Sequence, residues 1–302
     1  MEGTLIQRFG NFLRKPLPEK KVTARFFLRQ GLTRLPYLPV PIWLPIPPRN
    51  EIRFWWSYIP AAFLPDRTLL EYWGDDTGEL RFLWRFLQPG MMFFDVGAYH
   101  GLYSILALLK LRSQGRVVAF EPSARERRRL EFHLRLNGLS GLVVEPFAVS
   151  AREGTRTLFT VLSGFTSMNS LRPPSVQFPV KEVVVETITL DGYLKQKAVE
   201  RVDLMKLDLE GGEKEAICGA GRLFSSIRPF VICEVLDWVT KPWGYPAREI
   251  VSALGDYDYT WFDFQPDGAL VPHEPRDEYP EVRNYLAAPR EKLQEIAAWI
   301  QK

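Results

Sequence analysis

From residue 91 onward the chain alternates short apolar runs with longer amphipathic or charged segments, and glycine, proline or polar clusters mark the changeovers. Residues 91–96 read as a first strand, 101–111 as a helix, 116–121 as a second strand, 125–137 as a charged helix closed by Gly138, and 142–149 as a third strand. Short, continuously apolar strands separated by helices predict a parallel sheet covered on both faces. Between Glu153 and Leu190 the pattern changes to two β-rich runs, 155–161 and 180–190, around a polar loop, 163–174, placed to overhang a site. It resumes with strand 202–207, helix 212–224, strand 229–235, helix 247–254 and two last strands at 257–264 and 283–287. The expected fold class is α/β: a doubly wound, mostly parallel sheet of seven strands with helices on both faces and an N-terminal extension.

Upstream of this pattern the aromatics Phe54, Trp55, Trp56, Tyr58, Phe63, Tyr72, Trp73, Phe82, Trp84 and Phe86 recur, and 79–87 reads as a helix stopped by Pro89-Gly90. These rings read as core and lid material. Residues 1–52 read as a basic, proline-rich extension to a domain spanning 53–302. Over residues 8–34, Arg8, Arg14, Lys15, Lys20, Lys21, Arg25, Arg29 and Arg34 stand against the single acid Glu19. The arm reads as solvated, with weak contact to an anionic membrane surface as the functional alternative. The apolar strip at 36–48 is interrupted by Pro39, Pro41, Pro45 and Pro47 and is too short to cross a bilayer as a helix.

Composition narrows the function. With 302 residues, 46% of them apolar and 25% charged, the chain has material for one large core and is not disordered. Lys and Arg number 39 against 36 Asp and Glu, a balance too even for nucleic acid to be an obligatory partner. Only Cys218 and Cys233 are present, without CxxC metal-ligand spacing, a count that does not suggest a disulfide framework and suits a reducing compartment. The N-terminus lacks the apolar core of a secretion signal, so a cytoplasmic protein is expected.

Three clusters carry candidate chemistry. Asp95-Val96-Gly97-Ala98-Tyr99-His100-Gly101 lies where a strand hands over to a helix, the place at which a doubly wound sheet binds ligand. Gly97 and Gly101 let backbone approach a ligand closely. Glu121-Pro122 closes the next strand and puts a carboxylate where ribose hydroxyls are recognised. Residues 97–102 read Gly-Ala-Tyr-His-Gly-Leu, without the middle glycine that a pyrophosphate needs, which turns the reading from a dinucleotide toward another nucleoside cofactor. In the third cluster, residues 202–213, strand alternation places Lys206, Asp208 and Glu210 on one face at the strand's C-terminal end. The bland reading of that cluster is a neutralised charge group capping the next helix.

Together with Thr189-Leu190-Asp191, Lys206-Leu207-Asp208-Leu209-Glu210-Gly211 with Glu213, and Val231-Ile232-Cys233-Glu234-Val235, these clusters resemble the FkbM family of S-adenosylmethionine-dependent methyltransferases over about residues 70–290. The resemblance implies a Rossmann-like class I methyltransferase fold, S-adenosylmethionine as cofactor, and O-methylation of a hydroxyl on a sugar, glycolipid or secondary metabolite. It implies cofactor binding by Asp95, Gly97, Ala98, Tyr99, Gly101, Glu121, Pro122 and Asp208. Glu210, Asp208 and Lys206 are the candidate catalytic residues, with Glu210 as base for the hydroxyl proton. His100 is a second base candidate but reads first as a solvated helix-start residue, and His133 reads as a helix surface residue. Lys206 argues against a hard cation on Asp208, Glu210 and Glu234, so no metal is expected. Where the family commonly has Asn after Gly-Ala, this chain has Tyr99. The expected partner is a small-molecule or glycan acceptor. A non-catalytic methyltransferase-fold protein used for binding or assembly is the alternative.

Overall fold

The computed structural model describes residues 41–46, 50–55, 78–112, 114–162 and 166–301. Strands β1 (Pro41–Ile46) and β2 (Asn50–Trp55) pair antiparallel, and β2 runs across the boundary expected between residues 52 and 53. The basic arm, and the aromatics from Trp56 to Trp73, lie outside the described residues.

Helix α1 (Gly78–Phe86) buries Phe82, Leu83 and Phe86 on one face, with Phe82 against Phe264 and Trp299. Then follow β3 (Met92–Val96), α2 (Leu102–Leu111), β4 (Arg116–Phe120), α3 (Ala124–Leu136) and β5 (Leu142–Glu145). The third strand expected at 142–149 is split: Pro146 follows β5, and β6 (Ala148–Val149) leaves for a second sheet. There β8 (Val180–Ile188) pairs parallel with β6 and antiparallel with β7 (Gly154–Val161). Helix α4 (Leu190–Gln196) begins where a strand was expected to end, because Thr189 Oγ1 accepts the Gly192 N–H at 2.9 Å and caps it. Asp191 in turn accepts N–H groups of Arg222 and Leu223 at 2.8 and 3.0 Å, so the Thr-Leu-Asp segment is structural.

The chain continues through β9 (Leu204–Leu207), α5 (Glu213–Cys218), β10 (Phe230–Glu234), α6 (Asp237–Thr240), α7 (Arg248–Gly255), β11 (Tyr259–Phe264), β12 (Leu270–Pro272), β13 (Asn284–Pro289) and α8 (Leu293–Ile296). The single helix expected at 212–224 is instead α5 and a separate π-helical turn, Leu223–Ile227, with Gly219 and Gly221 between them.

The large sheet has the order β12-β11-β13-β10-β9-β3-β4-β5. Its seven expected strands are joined by an eighth, the three-residue edge strand β12. Strands β5, β4, β3, β9 and β10 run parallel, and β13 enters antiparallel between β10 and β11. Alternate side chains divide the core into two layers: Phe93, Leu204 and Ile232 face the cluster under α1, α2 and α3, whereas Phe94, Met205 and Val231 face the cluster under α4, α5 and α7. That two-sided burial is why these strands read as continuous apolar runs. From β3 the chain builds outward to β4 and β5, then crosses back to β9 on β3's other side. The switch in direction opens a crevice at the C-terminal ends of β3 and β9. No helix among the described residues is long and apolar enough to cross a membrane.

Candidate active site

After β3 the chain turns through Gly97, Tyr99 and Gly101 at φ of 89°, 49° and 84°. A Cβ on Gly97 would overlap the carbonyl oxygen of Asp208, so only glycine lets this turn pass the tip of β9. The Gly97 and Ala98 N–H groups both donate to the Phe120 carbonyl at 3.0 Å, binding the turn to the end of β4. Beyond it stands Glu121, buried at 5% exposure, with Oε2 accepting the Tyr99 N–H at 2.9 Å and Oε1 the Ser123 N–H at 2.8 Å. Each oxygen keeps lone-pair capacity beyond that bond. Burial, reinforced by Glu126, pushes this carboxyl up to about 8 against the pull of the two N–H donors. Pro122 follows on the pocket wall, its carbonyl held by Arg127 at 2.7 Å.

Asp95 sits lower in the crevice. Its Oδ2 accepts both the N–H and the hydroxyl of Ser104, at 3.0 and 2.6 Å, and burial raises the carboxyl to about 6. The side chain thereby ties β3 to the first turn of α2, so the Ser104 N–H is not free to receive a ligand. The Tyr99 ring stacks on His100, and its hydroxyl lies 2.6 Å from Thr166 Oγ1. Its backbone N–H, rather than its side chain, serves Glu121.

The two histidines differ from expectation. His100 is buried, with Nε2 2.7 Å from Glu126 Oε2. His133 is wholly buried, and its Nδ1 donates to the His100 carbonyl at 2.9 Å. Glu126, Leu130, His133 and Leu134 form one inward stripe of α3. Glu126 was not singled out from the sequence because it lies in a highly charged segment, although the 4-3-1 spacing of that stripe was available as a signal. Its carboxyl is lowered to about 2, since His100 and Arg125 outweigh the burial that opposes them.

On β9, Lys206 is 1% exposed, with Nζ 2.8 Å from Asp208 Oδ2 and 5.3 Å over the Tyr103 ring. Strand alternation does not carry this face on to Glu210, because β9 ends at Leu207 and Glu210 adopts φ 51°. The left-handed residue is held by Ser170 Oγ and Trp243 Nε1, each 3.0 Å from its carbonyl. Lys206, Asp208, Glu210 and Glu234 nevertheless line the same pocket as Glu121, brought there by the turn rather than by alternation. Glu210 and Glu234 are both pushed well above the usual carboxylate range, first by burial and then by neighbouring carboxylates. Glu213, read from the sequence only as part of a motif, is wholly buried beside them. Its Oε1 accepts the Leu209 N–H at 2.6 Å, and burial raises it to about 7. A carboxylate at the first position of a helix was the local signal for this role.

The same pocket is lined by an apolar wall of Ala148, Val149 and Leu158 and by a roof made of Ser167, Asn169, Ser170 and Leu171. The roof belongs to the polar loop expected over the site. Of that loop, residues 163–165 lie outside the described residues.

The methyltransferase FkbM domain matches residues 95–291, well over half of the chain and every residue that lines this pocket. The chain belongs to the FkbM family. The chain is also 26% identical over 168 residues to the AMB antimetabolite synthetase AmbE of Pseudomonas aeruginosa, a match covering 44% of this chain and 8% of that protein. Among solved structures, the methyltransferase FkbM from Methylobacillus flagellatus KT superposes with a TM-score of 0.40 at 17% identity, over 66% of this chain and 43% of that one. Precorrin-6y C5,15-methyltransferase from Geobacter metallireducens gives 0.38 at 13% identity, over 70% and 86%. This FkbM chain thus spans less than half the length of the Methylobacillus protein and under a tenth of the synthetase.

Proposed function

We propose that the chain is an S-adenosylmethionine-dependent O-methyltransferase acting on a hydroxyl of a sugar, glycolipid or secondary metabolite. The observation that carries this reading is a single pocket with a buried, backbone-anchored Glu121 at one end and Asp208, Glu210 and Glu234 at the other. The residues present fit the cofactor. Glu121 retains acceptor capacity for ribose hydroxyls, Ala148, Val149 and Leu158 offer an apolar wall to a flat base, and the carboxylates suit a cationic centre. When bound, S-adenosylmethionine supplies the electrophilic methyl group.

The chain's own contribution is position and proton affinity. The Ser170 and Trp243 bonds fix the Glu210 backbone at the tip of the crevice, and burial among carboxylates raises its affinity for a proton. A carboxylate in that state accepts the hydroxyl proton of an alcohol more readily than a solvated one does. Lys206 holds Asp208 in place beside it. We place this activity in the cytoplasm, in keeping with the free thiols Cys218 and Cys233, and in a domain spanning residues 53–302.

Titration calorimetry with S-adenosylmethionine and S-adenosylhomocysteine tests the reading, with NAD as control. Saturable binding of the two sulfur compounds, weakened at least about tenfold in Glu121→Ala, is expected, one factor of ten being about 1.4 kcal/mol. Absence of binding to folded protein sinks the enzyme reading and leaves a fold used for binding or assembly.

A further inference from the structure

We infer that Asp208, Glu213 and Glu234 together hold a hard divalent cation. Asp208 follows β9, Glu234 ends the adjacent β10, and Glu213 opens α5, so three elements converge. One oxygen from each carboxylate lies within 4.8 Å of the others. Oxygens bound to one cation at roughly 2.1–2.5 Å stand up to about twice that distance apart, so one ion can bridge this span.

A group of acids alone would be unremarkable on a protein surface, but here Glu213 is buried and Asp208 and Glu234 are half-buried. Glu213 is wholly buried; its Oε1 takes the Leu209 N–H, while Oε2 is buried with no hydrogen-bond partner. Glu234 Oε2 is likewise buried and unpartnered. Leaving such oxygens bare is unfavourable, and the natural remedies are an ion or a proton. The charges point to the ion. Asp208, Glu210, Glu213 and Glu234 bring four carboxylates together, and Lys206 brings one ammonium, which is 2.8 Å from Asp208 Oδ2. An all-oxygen donor set selects magnesium, calcium or manganese over softer metals.

From the sequence, Lys206 stands against a cation on Asp208, Glu210 and Glu234; in the fold Lys206 is bonded to Asp208 Oδ2 and leaves three further carboxylates of the group without a cation. The left-handed turn takes Glu210 out of the ligand set and the helix start substitutes Glu213. Glu210 is left beside the ion to accept a proton. If the methyl transfer proposed above is right, a hydroxyl drawn to the cation would lose its proton more easily. Cation binding itself does not rest on that reading.

The test uses the full chain, stripped with EDTA and dialysed, with no methyl donor present. Titration with MnCl₂, followed by calorimetry and by the loss of the free Mn²⁺ electron paramagnetic resonance signal, is expected to show one saturable site. Glu234→Gln and Glu213→Gln each weaken it at least tenfold, whereas Glu186→Gln, on the exposed side of β8, leaves it unchanged. Parallel titrations with MgCl₂ and CaCl₂ rank the ions. Thermal melts by circular dichroism establish that each variant is folded, and Glu234→Gln serves if the loss of the Glu213 cap unfolds the chain. No saturable site in folded wild-type protein, or equal affinity in a folded Glu234→Gln, overturns the inference. Either result stands apart from the cofactor titration, so failure of the metal site and failure of the methyltransferase reading are separately visible.

Discussion

Asp95 shows how a side chain that reads as a ligand contact can be a tie within the protein. Both the N–H and the hydroxyl of Ser104 converge on its Oδ2, in a place without solvent. Ser104→Ala removes the shorter of these bonds and leaves the carboxyl buried. A loss of about 1–3 kcal/mol is expected in urea unfolding, with the carboxyl driven further above its value of about 6. The motif containing Asp95, Gly97 and Glu121 was legible because strand, turn and acid occur at fixed spacing along the chain. His133 was not, because the carbonyl that buries it belongs to His100, 33 residues away. Glu213 was half legible: its position at a helix start is local, but its convergence with Glu234 depends on β9 and β10 being neighbours.

Elements sharpen the same contrast. Gly90 and Gly97 share φ 89°, yet a Cβ on Gly90 meets nothing within 4 Å while one on Gly97 meets the backbone of Asp208. Gly90→Ala therefore costs about 1–2 kcal/mol of left-handed strain. Gly97→Ala is expected to cost more than about 3 kcal/mol or to yield no folded protein, since backbone must move. Midpoints of urea unfolding compare the two, and equal losses would mean that the turn does not press on β9. The alternation of helices and parallel strands was readable because each strand is buried on both faces. The three-stranded sheet was not, because β6 is two residues long and pairs with a strand about 40 residues away. Likewise α4 was hidden behind a β-branched run, and only the Thr189 cap decides where the strand gives way to helix.

Across the whole molecule the buried acids set the response to pH. Asp95, Glu121 and Glu213 titrate at about 6, 8 and 7 when folded, above ordinary values of 3.8, 4.5 and 4.5. Between pH 4.5 and 8 the unfolded chain gives up these protons before the folded chain does, so stability falls as pH rises. Glu126, at about 2, acts oppositely and withdraws its stabilisation as pH falls below its ordinary 4.5. In EDTA, the melting temperature should peak near pH 5 and drop by at least about 4 °C by pH 8, the equivalent of roughly 1–2 kcal/mol for a domain of this size. Glu213→Gln should flatten the decline between pH 5 and 7; a wild-type profile that rises over this interval would contradict the burial of these groups. The roof of the pocket has a consequence of another kind. Thr166 is bonded to Tyr99, Asn169 to the Val161 N–H and to Glu126, and Ser170 to the Glu210 carbonyl, so the loop is latched to the structures that it covers. Four such bonds at about 1 kcal/mol each leave the cover raised in roughly one molecule in a thousand. If the chain takes the cofactor proposed above, capture should accordingly run about a thousandfold slower than into an uncovered pocket. In stopped-flow fluorescence, Thr166→Ala combined with Asn169→Ala should quicken both arrival and departure, making the crossover between β7 and β8 the clock of the pocket.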